Sequence, residues 1–222
     1  MRVSDIAKAG SYDDVRATFA EREQQLLHSA EQLWDRVDLG AACRILPGIA
    51  RATARELTIL RLSLDHPIEV LASACRMVFE LNVLCRYALL NQSHMDAIAT
   101  WRATDETSLL KGALHHFDSF APQAEQVLCA RIAEIEQKLQ DYGLQAASPV
   151  SLFKMVEAVG VEEEYKALYG FYSKYVHASG WLVCATDGQR DCYEYRQVFI
   201  VQSQIYAFDT YSRISEFFGG KA

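Results

Sequence analysis

The sequence predicts an all-α fold, a single-domain bundle of about eight or nine helices. Three observations carry that expectation. Apolar residues recur at helical spacing through most of the chain. Pro and Gly fall mainly where one such stretch gives way to the next. No internal repeat, low-complexity tract or composition shift demands a domain boundary.

Residues 1–10 read as a flexible N-terminal arm and residues 11–222 as one helical domain. Ser11 or Asp13 can cap a first long helix, with Val15, Phe19, Leu26, Ala30 and Leu33 on its apolar stripe. A second helix is expected to start at Pro47, whose fixed φ suits a first turn, and to stop before Pro67. The third, from Ile68 to about Asn91, is apolar on most sides and therefore central. Ser93 and then Thr107 or Ser108 are expected to cap two separate helices, MDAIATWRATDE and LLKGALHHFDSF. His115 and His116, adjacent on the second, point about 100° apart and cannot share an ion, so both read as surface residues.

Pro122 opens a sixth helix that ends at Gly143, and Ser148 or Ser151 opens a short one that ends at Gly160. The eighth, EEEYKALYGFYSKYVHA, places glutamates in its first turn, where the helix dipole favours anions. Gly170 within it suggests close helix packing. Residues 180–192 are a connector, and a final helix fills the C-terminus beside the eighth.

The net charge is −7, from 29 acidic and 22 basic residues. It argues against a surface that coats nucleic acid, while leaving room for a local basic site. No apolar run is long enough to span a bilayer, and no signal peptide is visible. Six scattered cysteines without a C-x-x-C pair suit a reducing, cytoplasmic compartment. Nucleotide-binding glycine loops, zinc-protease and nucleophile-elbow motifs are absent. A metal site from His177, Cys184 and Cys192 fits no usual ligand spacing. No cofactor or metal is expected.

Two stretches carry chemistry. Residues 166–179, KALYGFYSKYVHAS, set Tyr169, Ser173 and His177 within roughly 80° of one another on a helix, with Tyr165 extending the stripe. Residues 76–87, RMVFELNVLCRY, set Arg76, Glu80 and Tyr87 on a similar stripe, with Arg86 at its edge. Charges on a central helix must be paired or functional. If the stripes face each other, His177 can serve as acid or base and Arg76 can stabilise a phosphate. Glu80, Ser173 and Tyr169 would support them. The plain structural alternative is a buried ion pair that fixes helix register, with His177 and Ser173 satisfying a helix end.

The combination of R-x-x-x-E with a later LYxxxSxxVHxS helix resembles a family of uncharacterised bacterial helical proteins known as a domain of unknown function. The resemblance covers roughly residues 71–179, through Arg76, Glu80, Tyr169, Ser173, Val176, His177 and Ser179. More loosely, the chain is similar to the HEPN superfamily. That likeness implies a helical, often dimeric protein and a metal-independent endoribonuclease of toxin–antitoxin or phage-defence systems. RNA, a second copy of the chain and an antitoxin would be its partners. The HEPN motif is R-x(4–6)-H on a late helix. Here no Arg occurs within residues 161–176, and Lys174 is the nearest cation. Either Arg76 supplies the charge from the other helix or the site binds RNA without cutting it. The alternatives are a non-catalytic protein-interaction module and a small-molecule-binding helical domain.

Overall fold

The structure, a computed structural model, describes residues 3–116, 122–141, 143 and 145–219. Among these residues the chain is an all-α bundle without strands. Its helices are α1 (Val3–Ile6), α2 (Tyr12–Trp34), α3 (Ala42–Leu62), α4 (Ile68–Leu90), α5 (Gln92–His116), α6 (Pro122–Asp141), α7 (Leu152–Val159), α8 (Glu162–Val176), α9 (Gly180–Cys184), α10 (Asp187–Arg190) and α11 (Tyr193–Gly219), with a 3-10 turn at Val37–Leu39.

α4 occupies the centre because its sequence is apolar on most sides, with a narrow exposed stripe at Val70, Ser73 and Met77. Leu71, Ala72, Cys75, Val78, Phe79, Val83 and Ala88 are all buried on it. It packs against α3, α5, α7, α8 and α11. α2 and α3 form a long antiparallel hairpin beside it, and α5 and α6 form a second. Phe79 pins the middle of the core, with Tyr206 of α11 at 5.1 Å and Tyr172 and Tyr165 of α8 at 6.3 and 6.4 Å between ring centroids. A membrane-crossing helix is absent among the described residues.

The N-terminal segment is tied to α11 through side-chain amides. Gln204 accepts from the Lys8 N–H at 2.9 Å and donates to the Lys8 carbonyl at 2.8 Å, and Gln197 accepts from the Gly10 N–H at 3.1 Å. Ala7 is buried.

Several local expectations need correction. Pro47 lies inside α3, which starts at Ala42. Gly40 and Ala41 carbonyls accept the early N–H groups of that helix, so its first turn forms without proline. The two helices expected between residues 94 and 120 are one, α5, with no break at Thr107 or Ser108. No Pro or Gly stands at these two positions, and Gly112, four residues beyond Ser108, lies within α5 without breaking it. The start of α5 is capped by Asn91, whose side chain accepts from the His94 N–H at 2.9 Å, and not by Ser93. Residues 117–120 of the expected fifth helix and the side chain of His116 lie outside the described residues. His115 is exposed. A Cβ on Gly170 would meet nothing within 4 Å, so this glycine faces solvent and allows no close helix approach.

Candidate functional site

α8 begins with Glu162, Glu163 and Glu164 at its positive end. Its buried side is held by Tyr172, whose hydroxyl donates to Gln202 at 2.5 Å, and by Tyr206, which reaches from α11 to Glu164 at 2.6 Å. Burial pushes both phenols far above their ordinary values, so they act as neutral donors. With that side fixed, Tyr165 and Tyr169 are turned towards α4. They stack on each other at 4.6 Å, and Tyr165 also meets Phe153 of α7 at 6.1 Å. Burial, then the Tyr169 hydroxyl, raises the Tyr165 phenol.

Arg76 of α4 lies against this face and uses all three of its nitrogens. Nε donates to Glu80 at 2.8 Å, Nη2 donates to the Tyr169 hydroxyl, and Nη1 lies 2.9 Å from Nε2 of His177. Its guanidinium carbon also sits 4.4 Å from the Tyr169 ring centroid. Arginine has no acceptor, so Nε2 of His177 receives the Nη1 proton and the imidazole carries its own proton on Nδ1. The Arg76 and Glu80 side chains are 20% and 29% exposed, and His177 is exposed. The cluster therefore opens to solvent on the histidine side.

His177 owes its position to the end of α8. It is the C-cap residue, in an extended conformation, with its N–H bonded to the Ser173 carbonyl at 3.3 Å. Ser173 in turn gives its hydroxyl to the Tyr169 carbonyl at 2.8 Å. Ser173 thus shares the face but braces the helix backbone instead of touching Arg76. Ser179 follows as the cap of α9, accepting from the Leu182 N–H at 3.1 Å.

Of the residues singled out in the sequence, Arg76, Glu80, Tyr169 and His177 are in direct contact, with Ser173 one step behind. Tyr87 is elsewhere. It is buried and stacks on His94 at 4.0 Å. Arg86 belongs to a second cluster, donating to Asp209 of α11 at 3.0 Å. Asn82 and Arg213 donate to the same carboxylate at 2.8 and 2.7 Å. His177, Cys184 and Cys192 do not assemble, since no group of three or more ligating side chains occurs among the described residues.

An Arg–Glu–Tyr–His cluster thus bridges α4 and the end of α8 within the all-α bundle. The family of unknown function DUF5677 matches residues 52–183, and the chain belongs to that family. The matched span contains every member of the cluster but omits α2 and α11. No curated protein and no solved structure matches the chain.

Proposed function

We propose that the protein is a HEPN-like, metal-independent endoribonuclease with Arg76 and His177 as its working pair. The observation that carries this reading is the 2.9 Å contact between Arg76 Nη1 and His177 Nε2, made by residues 101 positions apart at a solvent-open edge. It supports the alternative in which α4 supplies the arginine that the late helix lacks.

A phosphodiester entering from the open side would take the Arg76 donors that now face His177. That frees Nε2 to accept the ribose 2′-OH proton. The 2′-oxygen attacks phosphorus, the bond to the 5′-oxygen breaks, and the imidazolium returns its proton to that oxygen. The products are a 2′,3′-cyclic phosphate and a 5′-hydroxyl. Arg76 balances the charge that builds on the non-bridging oxygens. Glu80 and Tyr169 hold the guanidinium in place, and Ser173 braces the backbone that carries His177.

The same reading makes the protein a cytoplasmic bacterial defence or toxin component. It would act as a homodimer restrained by an antitoxin protein. The test is cleavage of a labelled single-stranded RNA in EDTA. Wild type is expected to cut and His177→Ala to lose activity while keeping its helical circular dichroism and melting temperature. A wild type that neither cuts RNA nor harms an expressing cell would dismiss the enzyme. Partner binding unaffected by His177→Ala would then favour an interaction module, and stabilisation by a small metabolite a ligand-binding domain.

A further inference from the structure

A cleft of about 620 Å³ opens where the end of α8, α9 and the start of α11 meet. Its volume lies in the range of about 300–1,000 Å³ usual for small-ligand sites. Phe171, Tyr175, Trp181 and Tyr195 supply rings to its wall, and Lys174 and Gln189 supply polar groups. The rings meet edge to face: Phe171 and Tyr195 at 5.4 Å, and Trp181 and Tyr195 at 6.4 Å. Trp181 is 37% exposed, and among the described residues no ring lies parallel to its indole. The wall therefore offers an aromatic face without a partner.

The polar groups say what kind of ring would fill it. The Lys174 carbonyl accepts from the Ser179 hydroxyl, and the Lys174 side-chain amine has no hydrogen-bond or ion-pair partner among the described residues. The Gln189 carbonyl is taken by the Thr186 N–H and hydroxyl, at 2.9 and 3.1 Å, which leaves its amide N–H groups to donate. A planar ring with acceptor edges and a nearby negative charge complements this set. A cationic ring is disfavoured by Lys174.

Position connects the cleft to the Arg76–His177 cluster. Its lining residues Lys174, Tyr175, Gly180 and Trp181 bracket His177 in the chain. Lys174 precedes His177 by three residues, ~4.5 Å along the helix axis. Phe171, Lys174 and Tyr175 form one stripe of α8, and Tyr169, Ser173 and His177 form another. At about 100° per residue the two stripes lie on roughly opposite sides of α8, and of its cleft residues Lys174 lies nearest His177 around the helix, so an RNA strand passing over the end of the helix would reach both.

We propose that the cleft is a base subsite. It stacks the base of the nucleotide beside the reacting phosphate on Trp181 and pairs a neighbouring phosphate with Lys174. This rests on the ribonuclease reading for its substrate class, and its test is separate from cleavage. The probe is a fluorescein-labelled 2′-O-methyl hexaribonucleotide, which cannot form a cyclic phosphate, followed by fluorescence anisotropy.

Trp181→Ala is expected to weaken binding about five- to a hundredfold, the range that loss of one base–aromatic stack brings. Lys174→Gln, a solvent-exposed change that leaves the fold intact, is expected to weaken binding and to flatten the log–log salt slope by about 0.7. If either variant binds like wild type, or wild type does not bind, the subsite is overturned. Binding that depends on both residues, in a protein that cuts no unmodified RNA, keeps the subsite and removes the nuclease. Cleavage by wild type with both variants binding normally does the reverse.

Discussion

Arg76 has no idle nitrogen in the resting molecule. Glu80, Tyr169 and His177 each hold one, and the Tyr169 ring supports the guanidinium from one side. Such a group is pre-organised, and its cost of ordering is already met before a ligand arrives. Asp209 shows the same logic in a structural setting. Burial would push its carboxyl up, but hydrogen bonds from Arg213 and Asn82 and the charge of Arg86 outweigh burial and hold it below the ordinary carboxylate range. A carboxyl whose folded value is depressed contributes stability above its unfolded value near 3.9, and that contribution disappears as pH falls through the folded value. Asp209→Asn is therefore expected to cost about 2 kcal/mol at pH 7, because Arg86 and Arg213 lose their shared counter-charge. Urea denaturation from pH 7 to pH 2 should show the gap between wild type and variant closing below about pH 4. A gap that stays constant over that range would mean the carboxylate charge is not what ties α4 to α11.

At the scale of the helix, α8 serves two masters. Its buried side, anchored by Tyr172, belongs to the core, another face carries the Arg76-facing stripe, and Phe171, Lys174 and Tyr175 carry the aromatic cleft. Gly170 belongs to neither side. It sits in a regular helix with open space where a side chain would go. Gly170→Ala is expected to raise stability by about 0.5–1 kcal/mol, measured as a higher melting temperature with unchanged circular dichroism. A lower melting temperature would mean that this part of α8 has to bend or open.

Helical spacing is also why half of the cluster is legible in the sequence. Residues four apart on one helix must share a face, so spacing alone groups Arg76 with Glu80, and Tyr169 with Ser173 and His177. The same stripe overreaches at Tyr87. That residue is eleven positions beyond Arg76, ~16 Å along the axis, and it meets α5 instead of α8. The Arg86–Asp209 pair is not legible, since its members are 123 residues apart and nothing local marks Asp209 as a partner. The aromatic cleft is hidden for a similar reason, as Tyr195 comes from a different helix than Phe171.

Over the whole molecule, α4 is the element against which α3, α5, α7, α8 and α11 pack. Its centrality is readable from its lack of a polar side, whereas the continuity of α5 is not, because Ser and Thr mark helix starts only when the backbone actually turns there. The cysteines report on this packing. Burial pushes the Cys75 and Cys85 thiols of α4 up to about 11 and about 12, which leaves them protonated and shielded. Cys43 is buried as well, while Cys129 and Cys184 are exposed. Alkylation of the native protein by iodoacetamide at pH 8, read by peptide mass spectrometry, should modify Cys129 and Cys184 quickly. Cys43, Cys75 and Cys85 should react only after denaturation. Early labelling at Cys75 or Cys85 would show that α4 is not the closed centre described.

The central claim is that α4 and α8 each contribute half of one reacting site. The most direct measurement is the single-turnover rate of RNA cleavage in EDTA for wild type, Arg76→Ala, His177→Ala and the double variant, each checked for folding by thermal melting. Two residues that act on one phosphate as a unit lose activity together, so either single variant should fall nearly as far as the double. Cleavage that survives both substitutions, or a wild type that leaves RNA intact, would contradict the claim and leave the Arg76–His177 contact as a tie between helices.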